Sequence, residues 1–595
     1  MMPAWPRFFA LLLSALLACC AGYAAAVLYS TELAGIRAVY HIFPFNNWHL
    51  SASTTALLPM VRQGLAAGSL LLAGLFGALA WPAAGRRDVV GLRLEISAAT
   101  TGLLRGWREL RNRQKGLATA LLTLLTIVRV YFSFANPEYD DAVSYELFVS
   151  KGLVATSAYY PLPNNHVLSN TVSMLFYQVS PGFWWSMRLP VLLQSTAATV
   201  LLFVGLVRRT RFRVALVAVG LFCGLQLSLY HAGVGRGYWL FILLAVVGFF
   251  STLELGRPGG RHRAAWLGLV LAGVLGTYTV PPFLYVLASA YSWLGLRLLR
   301  RRAWAEAGPL VVAGLGTVAG TALLYAPLML ISGGKALVAT NNVGPMGLDA
   351  FWAGLPGYLW HTEGFLAGQR TLGALLTLPV LALLAWLWRH HQTNQPDEDR
   401  AHELRQVGGP ALWFMLLPYA VILVQRVFPP ERVMLYKAAF FFLLTGLVVD
   451  WALARWSAKE LPWLRPALVA LAVLFGTYET YSVVRVNPVA RSNDAAYRAG
   501  LHWLAAQPPG AVLAPEVTHN LFLRFYAHTE VRERAWHIDH DQRPGIRYAY
   551  VVAFPGKRGF FQPLFPFPPA FQNAELEIYR VPATYPLDSK SWRHN

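Results

Sequence analysis

Apolar runs of roughly 20 residues recur along the chain with short polar stretches between them, a pattern that predicts membrane-crossing helices. The runs fall near 7–29, 60–84, 116–134, 183–207, 213–230, 238–255, 264–279, 281–297, 308–331, 371–388, 410–427, 433–453 and 466–485. That gives about thirteen transmembrane helices, of which 264–279 and 281–297 are short for a hydrocarbon core of roughly 30 Å. From about residue 486 the pattern changes. AAYRAGLHWLAAQ (495–507) and NLFLRFYA have helical spacing, whereas GAVLAPE, IRYAYVVAF (546–554) and AELEIYRV (574–581) have strand lengths. The expected architecture is a polytopic α-helical membrane domain over 1–485 and a small α/β domain over 486–595. A Pro- and aromatic-rich stretch, GKRGFFQPLFPFPPAF, reads as a loop resting on the membrane interface.

Composition supports lipid as the solvent. Of 595 residues, 56% are hydrophobic and only 13% charged, about half the charged share of a soluble domain. The net charge of +21 does not indicate nucleic acid, because the cations lie in loops between apolar runs. RRDVVGLRLEISAATTGLLRGWRELRNRQK (86–115), RRTRFR (208–213), GRPGGRHR (256–263) and RLLRRR (297–302) are the richest. With the N-terminus inside, all of these loops, together with 389–406 and 454–465, fall on the cytoplasmic side, as the positive-inside bias requires. The outer side then receives 30–58, 135–182, 231–237, 280–282, 332–370, 428–432 and everything after 486. The first run could serve as a cleaved leader, with LLAC before Cys19, but its length to about residue 29 favours an uncleaved span. Cys19, Cys20 and Cys223 all lie in apolar runs and suggest neither a disulfide framework nor a zinc site.

The outer loop 135–182 carries the most unusual chemistry. ANPEYDDAVSYE (135–146) sets Glu138, Asp140, Asp141 and Glu146 just beyond a span. Asp140 capping the following helix is the plain reading of such a residue. The stretch 159–180 then predicts a helix with two faces: Leu168, Val172, Leu175, Phe176 and Val179 on one, and His166, Ser169, Asn170, Ser173 and Tyr177 on the other. The loop is therefore expected to hold interfacial helices joined by a turn bearing Asn164, Asn165 and His166.

Cations also stand where the topology predicts short outer loops. HAGVGRGYW (231–239) holds Arg236 between glycines, beside Tyr238, and FPPERVMLYKAAF (428–440) holds Arg432, Tyr436 and Lys437. Ionisable groups at membrane depth are costly and usually line a polar cavity, and Arg can grip a phosphate through two parallel hydrogen bonds. Lys437 could instead snorkel or pair with Glu431. Carboxylates beside phosphate-gripping cations suit a lipid-linked sugar phosphate. A carboxylate would take the acceptor proton, and the cations would stabilise the departing phosphate.

YDDAVSYE, LPNNHVLSN, GRGYW, LGTYTVPPF (275–283) and PPERVMLY resemble the GT-C superfamily of membrane glycosyltransferases, and the likeness covers roughly 115–440. The similarity is to bacterial relatives of the dolichyl-phosphate-mannose protein mannosyltransferases and to the lipid A aminoarabinose transferases. It implies a GT-C fold and an inverting transfer from a polyprenyl-phosphate sugar. The active site would face the periplasm or exterior of a bacterial inner membrane, with Asp140 or Asp141 as general base. Tyr145, Asn164, Asn165, His166, Arg236, Tyr238, Arg432, Tyr436 and Lys437 are the expected substrate contacts. The mannosyltransferases show Asp-Glu where this chain has Asp-Asp, and no inserted β-trefoil domain is visible here. Some members bind a divalent metal; Asp140, Asp141, Glu363 or His361 could serve, although no spacing requires it. The acceptor, whether protein, glycolipid or polymer, is not legible in these residues. A transporter or flippase for a lipid-linked anion is the alternative, but its charges should lie near mid-bilayer on broken helices.

Overall fold

The computed structural model describes residues 4–40, 51–161, 164–257, 262–304, 307–338, 344–393, 398–456, 460–531, 536–543, 545–555 and 568–582, with the backbone alone for 336, 338, 390–393 and 486–493. Among the described residues ten helices are long and apolar enough to cross a membrane, or eleven if a pair bent by 61°, Phe212–Gly224 and Gln226–Gly233, is one span. All thirteen apolar runs are helical. The two not in that count, Arg263–Thr279 and Thr377–Thr393, have 17 residues each. The bend is stabilised locally: buried Glu479, from a distant span, accepts the Gln226 N–H at 2.6 Å where the second helix starts, supplying an end cap that neighbouring residues do not.

The outer surface of the bundle is apolar. Leu70 and Leu71 on Ala52–Ala80, Val318 on Ala307–Ile331 and Leu474 on Leu464–Ala505 are more than 60% exposed. Contiguous exposed apolar surface of this extent belongs in lipid, and the chain is an integral membrane protein. Ala83–Arg108, read from sequence as a basic loop, is a 26-residue helix. Its buried Asp88 receives Arg7 from the first span and Arg263, at 2.7 Å, from the start of Arg263–Thr279.

At the other end of the bundle, the stretch 135–182 folds into the short helices Tyr139–Leu147, Leu153–Ala158 and Val167–Val179. The two faces of Val167–Val179 are the expected ones, and their placement is inside-out relative to a soluble protein. Ser169, Asn170 and Ser173 are buried, whereas Leu175 and Val179 are exposed. In a membrane the apolar side can face lipid and leave polar groups to meet one another inside.

Leu464–Ala505 is one uninterrupted helix of 42 residues, about 63 Å long at 1.5 Å per residue, and it runs through position 485, where the sequence reading divides the chain. It leads into a five-stranded sheet of order β2-β1-β3-β5-β4. The strands are β1 (Ala511–Leu513), β2 (Ile538–Asp539), β3 (Tyr548–Ala553), β4 (Phe571–Gln572) and β5 (Glu577–Arg580). β1 runs parallel to β2 and β3, while β5 is antiparallel to β3 and β4. The helix Val517–Glu530 connects β1 to β2 and packs on Tyr139–Leu147. β2 and β4 have two residues each, too short for periodicity to reveal. Most of the aromatic loop, 556–567, lies outside the described residues.

Candidate functional site

The helix Tyr139–Leu147 places its two aspartates in different surroundings. Asp141 is fully buried: Oδ2 pairs with Arg188 Nη2 at 2.6 Å, and Oδ1 accepts the Gly235 N–H at 2.7 Å. It also takes the Glu138 N–H at 3.3 Å, so the residue that caps this helix start from within is Asp141, not Asp140. Asp140 remains 40% exposed, with Oδ2 3.9 Å from Arg236 Nη2. That gap is too long for a hydrogen bond.

Arg236 is held from both sides through its neighbours. The Gly235 N–H is bonded to Asp141 and the Gly237 N–H donates to His166 Nδ1 at 3.0 Å. Both glycines are required by close approach. A Cβ on Gly235 would lie 2.9 Å from Met187 Cβ, and one on Gly237 3.0 Å from His166 Nδ1. Between them the Arg236 guanidinium, itself buried, donates to Ser144 Oγ at 3.0 Å and to the Asn164 carbonyl at 2.8 Å. Burial and the charges of Arg236 and Arg432 hold His166 well below its ordinary value, so its ring is neutral near pH 7. With Nδ1 accepting, the ring proton sits on Nε2, and the 3.2 Å approach of Arg236 Nη2 brings two N–H groups together. Arg432 lies close enough to Tyr238 and Asp140 to feel their charges. The Tyr238 ring packs between His166 and His231, with centroids 4.9 and 4.2 Å away. Two guanidinium groups and an imidazole N–H thus converge beside one exposed carboxylate, an arrangement able to bind an anion and to accept a proton.

No family model and no curated protein matches the chain in sequence. Solved structures do match it. ArnT from Cupriavidus metallidurans bound to undecaprenyl phosphate aligns over 79% of this chain and 99% of its own, with TM-score 0.56 and 13% identity. The apo form of the same protein aligns over 78% and 97%, with TM-score 0.55 and 13% identity. The chain has the GT-C fold. Arabinosyltransferase EmbB from Mycobacterium smegmatis also matches, at TM-score 0.37, 14% identity, 61% of this chain and 34% of its own.

Within the GT-C fold the expected site residues divide into two groups. Asp140, Asp141, Asn164, His166, Arg236, Tyr238 and Arg432 come together. Asn165 lies behind them: its amide donates to the Thr156 and Tyr159 carbonyls at 3.0 and 2.9 Å and its oxygen accepts from Asn170, which shapes the turn. Tyr145 faces away, donating to the Pro181 carbonyl at 2.7 Å among Tyr177, Phe183 and Phe525. Tyr436 packs on Phe241 and Phe440. Lys437 is buried and pairs with Glu363 at 2.7 Å over the Tyr419 ring, whereas Glu431 meets Arg370 at 3.7 Å.

Three residues not singled out in the sequence as site members join the cluster. Arg188 anchors Asp141, and Tyr230 donates a short hydrogen bond to Glu138. Burial raises the Glu138 carboxyl to about 7, against the Tyr230 bond, with Asp141 raising it further. The one signal for Arg188 was a lone cation inside an apolar run. The suggested metal ligands do not assemble. Asp141 closes on Arg188 and Glu363 on Lys437, and among the described residues no group of three or more His, Cys, Asp or Glu could hold an ion.

Proposed function

We propose that this protein is a glycosyltransferase that moves a sugar from a polyprenyl phosphate to an acceptor on the extracytoplasmic side of the membrane. The observation that carries the reading is the exposed Asp140 carboxylate set 3.9 Å from the buried, glycine-flanked Arg236. Asp140 is the general base, because Asp141 has its lone pairs committed to Arg188, Gly235 and Glu138. Asp140 takes the proton of the acceptor hydroxyl or amine as that atom bonds to the anomeric carbon. The sugar–phosphate bond breaks on the opposite face, inverting the centre, and the electron pair leaves with the lipid phosphate. Arg236 and Arg432 stabilise the charge growing there, as preorganised cations do most effectively in a dry site. Asp141 and Arg188 position Arg236 through the Gly235 amide. The arginine-rich loops at the far end support the outward orientation, and an ArnT structure with bound undecaprenyl phosphate supports the donor class.

Native mass spectrometry of the purified protein with undecaprenyl phosphate tests this. Wild type should retain one lipid phosphate; Arg236→Ala and Arg432→Ala should lose it. Retention unchanged in both variants would remove the phosphate site from this cluster.

A further inference from the structure

At the bundle end opposite Asp140, the helix Ala83–Arg108 runs across the ends of other helices instead of entering the bundle. Near its start Asp88 meets Arg7 and Arg263, each at the beginning of an apolar helix. Near its finish Gly102 and Gly106 meet Arg208, in the last turn of Leu189–Arg209. Asp88 and Gly102 are fourteen residues apart, about 21 Å along the axis. A helix pinned at both ends to helix termini on one side of the bundle lies along the membrane surface.

Its outward side combines apolar surface with charge. Val90, Leu94 and Leu104 are more than half exposed and fall on one arc of the helix, with exposed Arg86 and Arg93 along one edge and exposed Arg87 and Arg105 along the other. An apolar arc bordered by arginines suits a helix that sinks its side chains toward the acyl region and keeps its cations among headgroups. Arg86 donates to the Trp81 carbonyl at 2.9 Å, and among the described residues none of the four arginines makes an ion pair. Of the three carboxylates in 86–115, Asp88 and Glu95 are taken by Arg7 and Arg263, which leaves Glu109 alone against them.

A fifth cation is brought in from another helix. The Arg208 side chain runs along Ala83–Arg108 from Gly106, where an added Cβ would stand 3.6 Å from Arg208 Cβ, to Gly102, where one would stand 2.7 Å from Arg208 Cζ. Glu254, at the same end of the bundle, is bound to Arg209 and Arg257 at 3.1 and 3.3 Å. Arg208 is exposed, with no ion pair among the described residues. The fold therefore gathers like charges that repel one another, and an anionic surface relieves that repulsion. We infer that Ala83–Arg108, together with Arg208, is a docking surface for anionic phospholipid headgroups. The apolar arc takes acyl chains, and Arg208 with Arg105, three residues beyond Gly102, takes phosphate. This surface is separate from the cluster around Arg236.

Native mass spectrometry of the full chain, given equal amounts of dioleoylphosphatidylglycerol and dioleoylphosphatidylcholine, tests this. Wild type should retain phosphatidylglycerol preferentially, and Arg236→Ala should keep that preference. Arg105→Gln and Arg208→Gln should each lower phosphatidylglycerol affinity about fivefold, the worth of one cation near an anionic leaflet. Gly102→Leu should match Arg208→Gln, because it displaces the same guanidinium, and Leu94→Gln should weaken both lipids. Arg300→Gln combined with Arg302→Gln removes two exposed cations from a different basic segment and should change nothing. Equal retention of the two lipids by wild type would overturn the inference and leave the surface to a protein or nucleic-acid partner. An equal loss in the Arg300 and Arg302 variant would overturn it by assigning the preference to net charge alone. Displacement by inorganic phosphate at the lipid's own concentration would make this a free-phosphate site, and loss of the preference in Arg236→Ala would move the lipid to the donor cluster; either result overturns it. Melting temperatures report folding separately, and Arg105→Gln, an exposed substitution, carries the test should Gly102→Leu or Arg208→Gln fail to fold.

Discussion

Both ends of the bundle contain a buried aspartate tied to arginine, and they differ in what surrounds it. At one end Asp88 receives Arg7 and Arg263, while Glu95 lies 3.6 Å from Arg263. At the other end Asp141 holds Arg188, but its chain neighbour Asp140 stands exposed with its carboxylate 3.9 Å from Arg236. The first is a staple between the first span, the Ala83–Arg108 helix and Arg263–Thr279. The second is a staple with an open ion pair, Asp140 and Arg236, next to it. A closed ion pair fixes geometry, whereas chemistry requires groups that the protein holds in place and leaves unpaired for substrate.

The largest effect should come from separating the two roles. Asp140→Asn keeps the shape and removes the base, so turnover should fall about 10³-fold with an unchanged melting temperature. Asp88→Asn should do the reverse, costing about 3 kcal/mol by leaving arginines uncompensated while kcat changes little. Paired thermal-shift and turnover measurements that gave both variants the same profile would erase the distinction.

A smaller effect is expected at Gly235→Ala. The new Cβ would meet Met187 at 2.9 Å and Asp141 Oδ1 at 3.3 Å, displacing the loop that aims Arg236. Lipid-phosphate affinity should drop by about tenfold, of the order expected for one charge-assisted bond, and titration of undecaprenyl phosphate against wild type reads it. Unchanged affinity would mean that the aim of Arg236 tolerates movement.

The smallest effect is a pH dependence. Glu138, raised to about 7, holds its proton more tightly folded than unfolded, so its contribution to stability is complete below about pH 4.5 and is lost as pH rises through 7. The melting temperature should therefore decline across that window, and Glu138→Gln should flatten the decline. A wild-type slope surviving in the variant would assign it to another group.

The membrane segments were legible because apolar runs of span length report directly on the solvent they need. Asp140, Arg236 and Arg432 were legible because a charge at a span end has few inexpensive explanations. What was not legible depends on which distant residue arrives next to which. Lys437 has the sequence context of a substrate cation but is closed off by Glu363, 74 residues away, and Arg188 acquires its purpose only from Asp141, 47 positions earlier. Glu138 became a site member because Tyr230 points at it from 92 positions away. Tyr145 departs from expectation for a related reason: its motif neighbours face the cluster, but its own ring turns toward the C-terminal helix. The bent pair at Gly224 and Gln226 looked like one straight run, because the carboxylate that stabilises the break lies far along the chain at Glu479.

The 42-residue helix Leu464–Ala505 has a mechanical consequence. It is a lever with no joint between the bilayer and the C-terminal domain, since a continuous ladder of backbone hydrogen bonds does not yield as a loop does. Spans adjust their tilt to the thickness of the surrounding hydrocarbon. A change of tilt at the membrane end would be delivered to the far end, where Val517–Glu530 carries Arg524 and His528. A change in bilayer thickness would then reach the C-terminal domain as a movement of that helix.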